Sequence, residues 1–270
     1  MLTLVVVSHG AATKTGGRPA GNPVTRETAV RTAAVDWVTA QVGHDIAIAC
    51  DQATCNDLAQ HGFPAGNLNV LAPTAPDPYG SQLIIATASV RSQFGSKLAD
   101  VFAPQVIASF GSGASRIDIR VIAPDGVAAF QASLRADLQA RTASGRQLLA
   151  NKQITASPAA RVALRTGQVD QRLLTTLAFI AGSEPVDIVS FRTSGPGSSP
   201  GVPLRTADLA ETDRASHLRG AAYLRELVAA LRRQVPPYRP MTIQVVQLAH
   251  GVNVLQVEFG APSPLGLLHS

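Results

Sequence analysis

Residues 83–122, LIIATASVRSQFGSKLADVFAPQVIASFGSGASRIDIRVI, decide the fold class of this 270-residue chain. The segment opens with an apolar run of strand length and continues into a short helical pattern. It ends in two further strand patterns separated by a glycine turn. Because strands and a helix follow one another without an obvious catalytic side chain among them, the segment is typical of a scaffold rather than of a reaction centre.

The glycine turn FGSG, residues 110–113, has two interpretations. A phosphate-binding loop lies between a strand and the start of a helix, whereas residues 115–122 alternate polar and apolar side chains as a strand does. We therefore predict a hairpin in which residues 107–110 pair with residues 117–121. An anion site at the glycines is the alternative.

Helical and strand patterns alternate through the first half of the chain. Residues 25–41 have apolar side chains at helical spacing, and strands are predicted at residues 45–50, 67–71 and 81–87. Asp51 is the expected N-cap of a helix between the first two strands. This alternation predicts an α/β fold whose sheet is covered on both faces, a Rossmann-like three-layer N-terminal domain without a phosphate loop.

Two predicted helices contain residue patterns that indicate side-chain contacts. Glu27 and Arg31 are four residues apart on the first helix and are expected to form an ion pair. Residues 128–149 form a long helix, and the apolar spacing predicts that its buried face carries these side chains: Phe130, Leu134, Leu138 and Leu148.

The chain is long enough for two domains of ordinary size. We predict a Rossmann-like α/β domain over residues 24–150, including the long bridging helix, and an α+β domain over residues 155–270. Residues 1–23 are interpreted as a truncated signal peptide or linker, since a six-residue apolar run precedes positions rich in glycine and proline. The alternative is that LTLVVV is an ordinary strand.

Residues 192–213, RTSGPGSSPGVPLRTADLAETD, are predicted to form a long loop, and surface loops held by rigid flanks often bind ligands. Arg205 and Asp208 offer opposite charges at its end. The candidate binding residues are Ser194, Arg205, Asp208 and His217. The ordinary alternative is that Asp208 and its acidic neighbours cap the next helix.

Residues 261–270 are predicted to be a loose tail.

Cys50 and Cys55, the two cysteines, fall at the predicted junction of a strand and a helix. A bridge needs Cys50 at the strand end with a turn before Cys55, and we predict that disulfide for an exported protein. The alternative is a pair of buried thiols. No C-x-x-C pattern occurs, and the histidines show no metal-binding spacing, so neither a metal nor another cofactor is predicted.

Composition limits the classes of partner. The chain is 46% hydrophobic and 15% charged, which is typical of a globular protein. Its formal charge is +5, but the basic residues are scattered and are not interleaved with aromatic side chains, so nucleic acid is not an expected partner. No stretch reaches 18 uninterrupted apolar residues, and we predict no membrane span in the sequence as given.

The first half resembles a known family in three segments: residues 29–64, AVRTAAVDWVTAQVGHDIAIACDQATCNDLAQHGFP, residues 82–94, QLIIATASVRSQF, and residues 106–122, VIASFGSGASRIDIRVI. They are similar to the soluble extracytoplasmic domain at the end of actinobacterial membrane glycosyltransferases. The resemblance covers about residues 24–122. It implies an outward-facing accessory domain without the transferase chemistry, which belongs to a membrane part.

The second half resembles secreted zinc D-alanyl-D-alanine carboxypeptidases over about residues 159–259. The resemblance is carried by GQVDQRLLTTLAFIAG, VDIVSFRTSG, LRTADL and VLQVEF. It places Asp208 at the zinc-binding aspartate and Arg205 at its basic neighbour. The loop histidine of that family falls on Gly201, and the last strand has Val254 and Gln256 in place of a histidine. One carboxylate cannot hold catalytic zinc, so the resemblance implies a lost metal site.

These patterns favour a non-catalytic, extracytoplasmic binding or interaction protein of the bacterial cell envelope, with a glycan or a membrane protein as partner. No catalytic residue is predicted. The sequence leaves open whether the chain is an enzyme and favours a protein that is not one. The alternatives are a peptidoglycan-directed metallohydrolase with an atypical site and a cytosolic small-molecule-binding protein.

Overall fold

The computed structural model describes residues 23–193, 195–212, 220–248 and 253–267. It is an α/β structure with two mixed five-stranded sheets. In chain order the elements are α1 (Pro23–Gln41), β1 (Ile48–Cys50), α2 (Gln52–Gln60), β2 (Leu68–Val70), β3 (Leu83–Ala86), α3 (Ala88–Phe94), β4 (Gln105–Phe110), β5 (Ile117–Val121), α4 (Val127–Ala150), β6 (Ile154–Ala156), α5 (Pro158–Arg165), α6 (Gln171–Ala181), β7 (Val186–Arg192), β8 (Thr206–Ala210), α7 (Gly220–Arg232), β9 (Thr242–Gln247) and β10 (Asn253–Glu258).

The first sheet has the order β2-β1-β3-β5-β4. Strand β1 is parallel to β2 and β3, whereas β5 is antiparallel to β3 and β4. Phe110 pairs with Ile117 across the FGSG turn, so the predicted hairpin is confirmed and the turn does not lead into an α-helix. The chain places β2 on one side of β1 and β3 on the other, which makes the β1/β3 junction a topological switch point.

Helices cover both faces of this first sheet because its strands are apolar on both sides. Ile48, Leu83 and Ile85 pack against α1 and α2 on one face. Ala49 and Ile84 pack on the other face against α3 and the helical turn that follows it. A strand buried on both faces needs a continuous apolar run, as the sequence LIIA of β3 provides.

The second sheet has the order β6-β7-β8-β10-β9, in which only β6 and β7 are parallel. Helices α5, α6 and α7 pack their apolar faces against one side of it. Strand β8 is a correction to the predicted loop over residues 192–213. Its sequence TADLA is buried at every position and lies in the middle of the sheet, so tertiary packing overrides the polar appearance of the segment.

The buried face of helix α4 includes polar residues, which the spacing of its apolar side chains does not predict. Leu138 is 44% exposed, whereas Asp137, Arg141 and Gly145 are buried together with the expected Leu148. The Arg141 Nε donates to Asp137 Oδ2 over 2.6 Å, and an ion pair buried at spacing i, i+4 replaces the expected apolar contact. The predicted apolar face is therefore wrong at Leu138, whereas Phe130 and Leu134 are half-buried and Leu148 is buried.

The two halves of the chain meet along the outer edge of β4. The Ser109 N–H donates to the Gly197 carbonyl over 2.8 Å, and the Ser199 N–H donates to the Ile107 carbonyl over 2.9 Å. A segment between β7 and β8 thus pairs with the edge strand of the first sheet. This contact protects an edge that would otherwise present unpaired backbone groups. That each half folds by itself stays a prediction.

The segment after β10 is held in place, so the predicted loose tail is wrong over its first residues. The Ala261 N–H donates to the Gln41 carbonyl over 2.6 Å, and Gly43 N–H donates back to the Ala261 carbonyl over 3.2 Å. The Ser263 Oγ donates to Asp170 Oδ2 over 2.6 Å. These contacts join α1 of the first half to the end of the second sheet.

Cys50 and Cys55 form a disulfide, as predicted, with their Cα atoms 5.5 Å apart. Cys50 is the last residue of β1 and Cys55 lies in α2, so the bridge encloses the turn at Asp51. Both cysteines are buried. The disulfide therefore fixes the start of α2 against the carboxyl end of β1.

Candidate functional site

The predicted binding residue Arg205 lies inside the protein, not on a loop surface. It is 5% exposed and immediately precedes β8. Its Nη1 donates to the Phe259 carbonyl over 2.6 Å, and its Nη2 reaches Gln41 Oε1 over 3.4 Å. Burial lowers the pKa of the guanidinium to about 10, against the opposing effects of the nearby Asp170 and Glu258 carboxylates. Arg205 thus links α1 to the end of β10.

Asp208 lies on β8 and is 2% exposed. Its carboxylate accepts hydrogen bonds from Ser190 Oγ and Arg192 Nη2, both over 2.6 Å, and from Gln256 Nε2 over 3.1 Å. Burial by itself raises the pKa of Asp208, but these hydrogen bonds outweigh it and the pKa is lowered. Because Asp208 is in a strand, its interpretation as a helix cap is wrong. Its ion pair is with Arg192 and not with Arg205.

The side chains around Asp208 form a polar row across the second sheet. Gln256 is directly opposite Asp208 in the pairing of β10 with β8, and Gln244 Nε2 donates to Gln256 Oε1 over 2.6 Å. The row offers amides, a hydroxyl and a guanidinium where a zinc site needs imidazoles and carboxylates. Within the described ranges, no group of three or more His, Cys, Asp or Glu side chains is placed to hold a metal ion.

Ser194 and His217, the other two predicted binding residues, lie outside the described residues. The same is true of residues 1–22, for which a signal peptide or a strand was predicted. The role of all four binding candidates stays a prediction.

A polar crevice of about 520 Å³ lies at the carboxyl ends of β1 and β3. We call it the switch-point crevice, since in open α/β sheets ligands bind outside the carboxyl ends of strands where the strand order reverses. Helices α2 and α3 both begin there, and α1 forms a third wall. The lining residues are Glu27, Arg31, Asp51, Gln52, Ala53, Thr54, Thr87, Ala88, Ser89, Ala114, Ser115 and Ile117.

Asp51 is at the centre of this crevice. Its Oδ1 accepts from the Thr54 N–H over 2.9 Å and caps α2, as the sequence predicts. Its Oδ2 accepts from Thr87 Oγ1 over 2.5 Å and from Ser89 Oγ over 2.9 Å. Burial by itself raises the pKa of Asp51, but the hydrogen bonds from Thr87, Thr54 and Ser89 outweigh it and the pKa is lowered. The carboxylate is therefore ionised at neutral pH.

Ala114 and Ser115, which directly follow the FGSG turn, close one side of the crevice. Arg91 on α3 holds this turn, because its guanidinium donates to the carbonyl oxygens of Ala86, Ala114 and Arg116. Ala86 ends β3, so a single side chain connects the strand end with the hairpin turn. The wall of the crevice is thus built from three parts of the chain that are distant in sequence.

The sequence pattern predicts Asp51 as a helix cap but gives no prediction for Thr87 and Ser89. The signal that could have found them is positional, since both residues follow the buried strand β3 just as Asp51 follows the buried strand β1. The carboxyl ends of neighbouring parallel strands lie at the same edge of a sheet. Polar residues directly after such strands therefore come together.

A larger cleft of about 720 Å³ lies between the two halves at the opposite edge of the first sheet, and six prolines line it. Its buried cation, Arg172, donates to both carboxylate oxygens of Asp170 and to the Gly260 carbonyl. The Arg172 guanidinium also lies 5.1 Å from the centre of the Phe259 ring. The guanidinium of this buried arginine is therefore already engaged by groups of the protein.

No protein-family model, curated protein or solved structure matches this chain. In the part of the chain that the structure describes, no helix combines the length and the apolar character needed to cross a membrane.

Proposed function

We propose that this chain is a non-catalytic, extracytoplasmic binding protein of the bacterial cell envelope, and that it binds a small hydroxyl-bearing ligand, such as a saccharide unit, in the switch-point crevice. The observation that carries the proposal is the clustering of Asp51, Thr87 and Ser89 at the ends of two parallel strands. Short polar side chains on strand ends and helix starts are rigidly placed, and rigid polar groups fix the orientation of a polar ligand.

The crevice suits a ligand of modest size. Its volume of about 520 Å³ falls within the range of typical small-molecule sites. Gln52 and Arg31 add an amide and a guanidinium to the hydroxyls and carboxylates of the lining. Hydroxyl groups of a saccharide both donate and accept hydrogen bonds, so a lining that mixes donors and acceptors is suited to them.

The Cys50–Cys55 disulfide supports the extracytoplasmic part of the proposal. Disulfides persist in oxidising compartments and are rare in the cytosol. This observation favours the envelope over the alternative of a cytosolic small-molecule-binding protein. Among the described residues, the contacts of Asp208 come from a hydroxyl, a guanidinium and an amide, and these do not add support for the alternative of a metallohydrolase.

Calorimetric titration with soluble saccharides tests the proposal. We expect wild-type protein to bind glucose or an amino derivative of it at millimolar concentrations. Ser89→Leu places an apolar side chain in the crevice and should abolish that binding. Ser92→Leu is the matched control, because Ser92 is exposed on the same helix α3 and is not among the lining residues. Equal loss of binding in both variants would contradict the location, and absence of binding in wild type would contradict the function.

A further inference from the structure

The switch-point crevice carries an excess of negative charge, although the chain as a whole has a formal charge of +5. Two carboxylates, Glu27 and Asp51, and one cation, Arg31, line it. The expected pair between Glu27 and Arg31 is not formed; instead Arg31 Nε lies 2.8 Å from Asp57 Oδ2. Since Asp57 neutralises the cation, the lining presents a field that attracts cations and repels anions.

The N-terminal ends of the two helices at the crevice do not reverse the negative sign of its charge. The start of α2 is capped by the Asp51 carboxylate, and the start of α3 is capped by the Thr87 hydroxyl. Arg91 is the other cation tied to these elements, and its guanidinium donates to backbone carbonyls of the strand end and the FGSG turn. A phosphate group would therefore meet an ionised carboxylate at the place where an anion site needs free N–H groups.

The two hydroxyl groups beside Asp51 have too few protons to make a hydrogen bond in each of their oxygen–oxygen contacts. Thr87 Oγ1 and Ser89 Oγ each lie within hydrogen-bonding distance of Asp51 Oδ2, and the two hydroxyl oxygens are 2.9 Å apart. These three oxygen–oxygen contacts share two protons, because each hydroxyl has one and the ionised carboxylate has none. One contact is therefore left between lone pairs.

A hydrogen-bond donor from outside the protein would satisfy those lone pairs. An ammonium group has three donors and no acceptor, and its charge adds to the strength of each hydrogen bond to Asp51 and its two hydroxyls. Glu27, on the wall formed by α1, is exposed and makes no ion pair within the described residues, so it offers a second counter-charge. Both features favour the same chemistry.

We infer that the switch-point crevice selects a protonated primary amine carried on a hydroxyl-bearing skeleton, that is, an amino sugar with a free amino group. The hydroxyls of Thr87 and Ser89 accept from the ammonium, Asp51 lies directly behind them, and Glu27 faces the charge from α1. The inference rests on the proposed function, whose ligand class it narrows.

The test compares four probes by calorimetry on wild-type protein: glucosamine, glucose, N-acetylglucosamine and glucose 6-phosphate. We expect glucosamine to bind most tightly and glucose 6-phosphate most weakly. Raising the pH until the glucosamine amine is neutral should remove its advantage over glucose. Glu27→Gln should lower the ratio of glucosamine affinity to glucose affinity about threefold, the size of one exposed charge interaction.

Asp125→Asn is the control for Glu27→Gln, since it removes one negative charge from an exposed turn after β5. It should leave every affinity unchanged. Equal binding of glucosamine and glucose, or tightest binding of glucose 6-phosphate, would overturn the selectivity for amines and leave the proposed function standing. If none of the four probes binds, the inference and the proposed function both fall.

Discussion

The carboxylate of Asp51, directly after β1, accepts a hydrogen bond from the hydroxyl of Thr87, directly after β3, with Oδ2 and Oγ1 2.5 Å apart. This bond joins the carboxyl ends of two parallel strands and the starts of the helices that follow them. It makes Asp51 both a helix cap and the organising group of the switch-point crevice.

Replacing Asp51 by Asn should make unfolding less dependent on pH. The folded-state pKa of Asp51 is lowered, so its ionised form stabilises the protein above the ordinary aspartate pKa of 3.8, and this contribution is lost as the pH falls through the lower folded-state value. Denaturant unfolding at neutral and acidic pH should therefore show the largest deficit of Asp51→Asn at neutral pH. The control is Asp125→Asn, which removes an exposed carboxylate from the turn after β5. An equal deficit of Asp51→Asn at all pH values would contradict this role of the Asp51 carboxylate.

Cleavage of the Cys50–Cys55 disulfide should destabilise the protein by about 2 kcal/mol, the entropic contribution of so short a loop. The double variant Cys50→Ala, Cys55→Ala gives this value by denaturant unfolding. In protein exported from cells, thiol titration under denaturing, non-reducing conditions should detect no free thiol. Two reactive thiols per chain would contradict the bridge and weaken the extracytoplasmic assignment.

Gly145→Ala should destabilise the protein, although helix propensity alone would make it stabilising by about 1 kcal/mol. A β-carbon at Gly145 would lie 2.1 Å from the Leu164 carbonyl oxygen, so α4 and α5 would have to move apart. We expect a loss of about 1–3 kcal/mol in the free energy of unfolding. Arg146→Ala, at the next and exposed position of α4, should stay within about 0.5 kcal/mol. A stabilised Gly145→Ala variant would show that the helices are not in this contact.

Arg205→Ala and Asp208→Ala should each cost about 2 kcal/mol, because each leaves buried hydrogen-bonding groups without their partner. The two residues are about 10 Å apart along the extended chain and share no partner in the described contacts, so their effects should add. Thermal or denaturant unfolding of both single variants and the double variant measures this, with exposed Arg233→Ala as control. A double variant that loses less than about 0.5 kcal/mol would restore the surface-loop interpretation.

Several elements could be predicted because their signals are local. The Asp51 cap of α2 and the FGSG hairpin each depend on a few neighbouring residues, and the structure confirms both. The disulfide was predictable for the same reason, since Cys50 and Cys55 are separated by one turn.

The elements that the sequence did not predict depend on distant parts of the chain. Strand β8 contains Thr206 and Asp208, and only the hydrogen bonds from β7 and β10 make a polar strand stable at the centre of a sheet. The polar face of α4 is buried because Arg141 reaches Asp137 and the Gly167 carbonyl. The crevice likewise needs the strand order, which places Asp51 beside residues about 36 positions away.

Chemical-shift mapping with isotope-labelled protein tests the central claim most directly. Backbone amide signals would be followed while glucosamine and then glucose are added. The largest shifts should arise from residues 51–54, 87–89 and 114–115, which line the switch-point crevice. Shifts confined to residues 43–46, 81–82 and 236–241, which line the larger cleft between the halves, or no shifts with either sugar, would contradict it.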